Sequence, residues 1–293
     1  MTSVAEPRGS ALDALEENAK PRTRRSSRGS RPRRRIGDVL LHTYTWLVIV
    51  WLSLPIVVMI VFSFNDPRGR YNTTWVGFTT KYWSSKLFAF EDLTRALIAS
   101  LGIAVVSTLI TTILGTMIGI ALGKYRFRGQ GPFNLLLFAV ISAPEIVLGA
   151  SLLTLFTTLN TGLGYITILI AHIMFSLSFV AIVVRARVLT LDPSIEDAAR
   201  DLGADSWTTF WRVTFPLIFP GILSGALLAF VLSIDDYVVT SFTAGNVTTF
   251  PLWIYGVSKL GLPPQADVMG TIIFVLGLMI ALTNGIVSKR RAR

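Results

Sequence analysis

A chain of 293 residues that is 52% hydrophobic, only 15% charged and has a mean hydropathy of +0.61 is too apolar for a water-soluble domain, so its solvent is the bilayer. The net charge of +10 does not mark a nucleic-acid binder, because residues 1–35 hold ten Lys or Arg against four acids, four more bases follow Ser288, and the stretch between is formally neutral. With no cysteine, disulfides, thiolate nucleophiles and thiolate metal sites are excluded.

Residues 1–35, rich in Arg, Ser, Pro and Gly, bury too little apolar surface to offset the entropy of ordering and are expected to form a disordered cytoplasmic tail. Residues 36–293 then read as one all-α membrane domain. Six apolar runs follow, at Thr43–Phe64, Ala96–Gly123, Pro132–Leu159, Gly164–Val184, Pro216–Thr240 and Val268–Ser288. Each is close to the roughly 20 residues that cross a hydrocarbon core of about 30 Å. The first lacks a small-residue cleavage site and reads as an uncleaved helix rather than a signal peptide. Lys124, Arg126 and Arg128 lie between the second and third runs, Arg185 and Arg187 follow the fourth, and the terminal bases follow the sixth, so the positive-inside rule puts both termini in the cytoplasm. The outer loop Asn65–Arg95, with Trp75, Tyr82 and Trp83, suits a segment lying along the outer membrane face.

Between the fourth and fifth runs, about 190–215, the chain turns polar while keeping a helical pattern. Asp192 and Pro193 open one short helix, Gly203 supplies a sharp turn, and Asp205 caps a second. In that second helix Trp207, Phe210 and Trp211 recur at helical spacing, which predicts an aromatic face packed against the membrane helices. The small Ala198 and Ala199 let the first helix approach another protein closely. Asp197-Ala198-Ala199, three residues, Gly203, nine residues and Val213-Thr214-Phe215-Pro216 resemble the EAA loop of bacterial ABC importer permeases, with Asp197, Val213 and Phe215 as conservative departures.

That resemblance implies a type I ABC importer permease fold of six transmembrane helices, in which Asp197, Ala198, Ala199, Gly203 and Pro216 couple the chain to a partner ATPase. The chain has no GxxxxGK phosphate loop followed by Ser or Thr, so ATP and Mg belong to the partner and this subunit is a transporter component, not an enzyme. No metal site is expected either: His42 and His172 are far apart in sequence, and His172 reads as a helix-packing residue.

Three acids sit within the apolar runs. Glu145 follows Pro144 mid-way along the third, where Pro144 kinks the helix and a carboxylate facing lipid costs several kcal/mol. Asp235 and Asp236 lie about 30 Å along the fifth if its helix is continuous, near the outer mouth. Carboxylates pair with ammonium groups while aromatic rings cover methylene stems, a pattern suited to a polyamine, with Tyr237, Phe175, Trp253 and Tyr255 as candidate walls. Leu232–Phe242, Pro251–Tyr255 and Pro144–Gly149 resemble the spermidine/putrescine importer permeases. The likeness implies alternating-access import with a second related permease, two ATPase subunits and an extracytoplasmic binding protein, and a pathway including Glu145, Asp235, Asp236 and Tyr237. The competing readings are the same machinery for an aminophosphonate, thiamine or ferric iron, a secondary transporter without an ATPase, and a noncatalytic scaffold.

Overall fold

In the computed structural model of the chain, residues 36–84 and 86–291 are described, and the expected basic tail at 1–35 lies outside them. Among the described residues the fold is helical, with one isolated bridge between Asn65 and Phe78. Two compact units divide the chain between Leu54 and Pro55. The described part of the first is the opening of α1 (Ile36–Phe62), where Thr45 and Ser53 return their hydroxyl hydrogens to the carbonyls of Leu41 and Ile49. Such back-bonding satisfies a hydroxyl in an apolar helix. None of the most apolar window of this helix is buried within the chain.

The second unit holds α2 (Glu91–Lys124), α3 (Gln130–Ser142), α4 (Glu145–Thr158), α5 (Tyr165–Leu189), α6 (Ser194–Asp201), α7 (Ser206–Thr209), α8 (Phe215–Ile234), α9 (Val238–Thr243), α10 (Phe250–Ser258) and α11 (Pro264–Arg291). Among the described residues, four helical runs are long and apolar enough to cross a bilayer, namely α1, α2, α5 and the continuous run Ser206–Ile234. The third expected span is not one helix. Pro144 and Ala143 separate α3 from α4, and the two halves are bent by 106°. The missing proline N–H and the extended backbone before it turn the expected kink into a break. The sixth expected crossing lies in α11, whose described apolar part is Pro264–Met279.

Two further expectations are corrected. The fifth span is not a continuous helix to Thr240, because α8 ends at Ile234 and a new helix, α9, starts after Tyr237. Asp236 causes this: its carboxylate accepts the backbone N–H groups of Val239 and Thr240, the role of a capping acid at a helix start. The second short helix of the polar loop is not separate from the membrane helix. It passes through the π-helical turn Phe210–Thr214 into α8, and Trp207 and Trp211 stay 70% and 45% exposed while Thr209 and Thr214 are buried. The π turn adds a residue to the helical register and swings the aromatics outward. They form a ladder instead, Trp207 to Trp211 at 5.7 Å and Trp211 to Phe215 at 4.9 Å between centroids.

The loop Asn65–Arg95, expected on the outer face, is held by contacts of its own. Asn65 donates to Asn72 (2.7 Å) and to the Thr74 carbonyl (2.7 Å), and Asn72 donates to Asp267 (2.7 Å) at the start of α11. Trp83 stacks on Phe64 and donates its indole hydrogen to Ser63. These contacts fold the loop into a cap.

The core is the packing of α2, α5 and α8. Lipid tails are as apolar as leucine, so membrane helices associate through close backbone approach and dispersion contacts. Gly115, Gly119 and Gly123 repeat every fourth residue on α2 and receive Val180, Val184 and Val188 of α5. A Cβ at Gly119 would stand 2.8 Å from the Ala181 carbonyl oxygen, and one at Gly115 2.7 Å from Val180. Gly225 of α8 meets the other side of Val180, and Val180, Val184, Ile218 and Ala229 are buried together. Replacing Gly119 with Leu is expected to destabilise the unit by about 1–3 kcal/mol or more, since the obstacle is backbone and cannot yield. Gly102→Ala, at a position with nothing within 4 Å, is the neutral control. Thermal unfolding of the purified complex checks the pair, and equal melting would refute the packing account.

Candidate functional site

The polar loop forms at one end of the α2–α5–α8 core. Asp192 accepts the Ser194 N–H (3.0 Å), and that hydrogen bond holds its carboxyl below the ordinary range. Asp205 caps the next helix through Thr208 (3.2 Å), with the same effect. Both acids therefore act as helix caps, as their spacing predicted. Gly203 adopts φ +87°, a conformation that L side chains rarely adopt. Asp197 and Ala198 are exposed, Ala199 is half-buried, Leu202 is 90% exposed, and Pro216 is exposed in the first turn of α8.

Glu196, beside Asp197, ties this loop to the core. Its carboxylate accepts from Lys124 at the end of α2 and from the Thr214 hydroxyl (2.7 Å) in the π turn, with Arg200 at 3.9 Å. Burial pushes the Glu196 carboxyl up, but the hydrogen bonds from Lys124 and Thr214 outweigh it and hold the group below its ordinary value of 4.5. By contrast Asp197 meets only Arg200, at 3.4 Å, among the described residues. A cavity of about 370 Å³ opens beside this clamp, lined by Lys124, Val188, Glu196 and Arg200 among others.

The membrane acids gather at two helix breaks. Glu145 is the first residue of α4, exposed and freed from the preceding helix by Pro144. Asp235 follows the last turn of α8 and is also exposed. α9 lies against α4, because Gly149 leaves room for the Phe242 ring and Val239 joins Leu152, Phe156 and Ala171 in one cluster. This seating brings Asp235 within electrostatic range of Glu145. Neither carboxylate takes a hydrogen bond from another side chain among the described residues. Asp236 is different, its side chain 7% exposed and turned inward.

Aromatic candidates divide in the same way. Tyr237 and Tyr255 pair at 4.4 Å beside the acids, and Tyr255 is 57% exposed. Phe175 packs edge-on to His172, and Trp253 packs with Phe90 in a buried cluster around Leu93 and Met269. The last two are packing residues here.

Three features escaped the sequence reading. His172 is 1% exposed and joins Ser233, Thr240 and, through them, Asp236 and Ser107. No sequence pattern links these positions, which come from α2, α5, α8 and α9. Glu196 was overlooked because the resemblance draws attention to its neighbour. The GxxxGxxxG run of α2 was readable as a helix-packing signal and marks the core contact.

The chain matches the family described as binding-protein-dependent transport system inner membrane component over residues 115–292. It is 37% identical over 259 residues to the spermidine/putrescine transport system permease protein PotC of Escherichia coli, covering 88% of this chain and 97% of the relative. It is 35% identical over 242 residues to the putrescine transport system permease protein PotI of Escherichia coli, covering 78% and 85%. In fold it is similar to a bacterial alginate ABC transporter solved in complex with a pentasaccharide-bound periplasmic protein, with TM-score 0.59 and 16% identity over 88% of this chain and 96% of that one. A helical membrane core, a capped polar loop and these matches together make the chain a multi-pass permease subunit, not an enzyme, and a member of the binding-protein-dependent transport system inner membrane component family.

Proposed function

We propose that the chain is one half of the pore of an ATP-driven importer and moves a polyamine, spermidine or putrescine, by alternating access. The observation that carries this is that two exposed carboxylates, Glu145 and Asp235, come within electrostatic range of each other at separate helix breaks, neither taking a hydrogen bond from another side chain among the described residues, beside the Tyr237–Tyr255 pair. Non-helical backbone at membrane depth is tolerated where it is buried in protein or lines a water-filled cavity, and acids there mark ion and substrate paths. Two acids and an aromatic wall suit a chain of ammonium groups separated by methylenes. The names of the relatives, which transport spermidine and putrescine, support the same cargo.

The arrangement has six crossings with both termini in the cytoplasm. A second related permease completes the path, two ATPase subunits bind ATP and Mg, and a binding protein delivers substrate from outside. The exposed Asp197, Ala198 and Leu202 face the ATPase, and Glu196 carries its motion into α2 and α8.

Labelled spermidine and putrescine uptake in vesicles containing the complete importer tests the path. Glu145→Gln and Asp235→Asn are each expected to lower uptake about tenfold or more, the loss of one charge-assisted contact of about 1.5–3 kcal/mol, with assembly intact. Unchanged uptake would remove the physical case for a polyamine. Gly203→Val is expected to leave the chain in the membrane yet uncouple ATP hydrolysis from uptake, through strain at positive φ. Normal coupled uptake by that variant would contradict the docking role.

The clamp has its own signature in pH. Because the folded Glu196 value lies below 4.5, its stabilisation is complete above that pH and disappears as pH falls through the lowered folded value. Protection of the α6 amides, taken as exchange relative to the intrinsic rate at each pH, should therefore fall on acidification in wild type. Glu196→Gln should exchange faster at neutral pH and lose most of that response, and identical exchange profiles would dismiss the clamp.

A further inference from the structure

We infer that His172 is a positioning residue of the cation path: with Thr240 it holds the Asp236 carboxylate inside the junction of α5, α8 and α9, so that Asp235 is the acid presented to the transported cation. The inference rests on the cation-path reading above and divides the two adjacent acids between two tasks.

The division follows from hydrogen-bond inventory. Asp236 Oδ1 accepts the Val239 N–H (3.3 Å), while Oδ2 accepts both the Thr240 N–H (2.7 Å) and the Thr240 hydroxyl (2.6 Å). His172 Nε2 stands 3.4 Å from the same Oδ2. Three of the roughly four acceptor sites of this carboxylate are filled and its side chain is 7% exposed, so it is turned from a substrate ammonium unless α9 loses its cap. Asp235, one residue earlier, is exposed and accepts no other side chain's hydrogen among the described residues.

The tautomer of His172 is set by the same reasoning. Thr240 has one hydroxyl hydrogen and gives it to Asp236, so its 2.9 Å contact with His172 Nε2 requires the ring N–H to donate. On the other side Nδ1 lies 2.7 Å from Ser233 Oγ, and Ser233 lies 3.0 Å from Ser107 Oγ. Ser107 can also donate to the Ala104 carbonyl (3.2 Å). Rotation of the two serine hydroxyls lets Ser233 donate to a bare Nδ1 or accept from a protonated one. The strut Ser107–Ser233–His172–Thr240–Asp236 is therefore complete in either charge state of the ring, and it crosses four helices. The charged groups nearest it are Asp236 itself and, beyond the junction, Asp235 and Glu145.

Freeing Asp236 by removing His172 would let a second carboxylate turn toward the path and let the start of α9 shift. The consequence should vanish once Asp236 is already neutral. Two measurements on the assembled importer test this. In nitrogen-15 spectra of histidine-labelled complex, the signal missing from His172→Gln identifies the ring, which is expected to carry hydrogen on Nε2. A neutral ring with its hydrogen on Nδ1 would overturn the strut. In uptake, the ratio of apparent KM for spermidine and putrescine is measured for His172→Gln, Asp236→Asn and the double variant. His172→Gln is expected to shift the ratio about fivefold, and the double variant to match Asp236→Asn within about twofold, as coupled neighbours do. Independent, multiplying effects would overturn the proposal. Thr240→Ser should behave as wild type and Thr240→Val as His172→Gln; equal defects in both would point to packing alone and also overturn it. Unchanged uptake in Asp235→Asn would instead strike the cation-path reading, an outcome distinguished by the spectra because they involve no substrate.

Discussion

Close backbone approach among α2, α5 and α8 is the constraint on which everything else in this subunit depends. In lipid there is no hydrophobic gain from pressing two apolar helices together, so the pair must gain dispersion contacts that bulky side chains would prevent. The glycines of α2 open that space, and the valines of α5 fill it at one-turn intervals. The same three helices carry the polar loop at one end and the acidic junction toward the other. From Leu189 back to His172 is about 25 Å of helix at about 1.5 Å per residue, so both sites stand on one stiff body.

Rigidity at the core allows the broken elements around it. Pro144 interrupts the third span and Asp236 starts a fresh helix after α8, leaving free backbone groups that a membrane does not tolerate unless protein or water satisfies them. At the second break the satisfaction is visible: Asp236 takes two backbone N–H groups, and His172 and Thr240 support Asp236. At the first, Gly149 admits the Phe242 ring, which seats α9 on α4. The two exposed acids are therefore neighbours because their helices are broken, and an unbroken fifth span would have carried Asp235 and Asp236 away from this seat.

The polar loop shows a comparable division between exposed and anchored groups. Asp197, Ala198 and Leu202 present one acidic, one small and one apolar side chain outward, whereas Glu196 faces in and bridges α2 to the π turn. The aromatic ladder from Trp207 to Phe219 is exposed at Trp207, Trp211 and Phe219, while Phe215 packs against the core.

What the sequence determined by itself was whatever depends on local chemistry: apolar runs long enough for a bilayer, Asp192 and Asp205 as caps, the positive-φ turn at Gly203 and the helix fault at Pro144. Each is decided by a residue and its near neighbours, so no partner from elsewhere in the chain is required. Tertiary structure alone decided which acid of the Asp235–Asp236 pair turns inward, that Glu196 rather than Asp197 grips the core, that Trp207 and Trp211 face outward, and that His172 has a partner on each ring nitrogen. Those outcomes depend on groups contributed by helices far apart in the chain, and a side chain's orientation follows the partner that satisfies it rather than the period of its own helix.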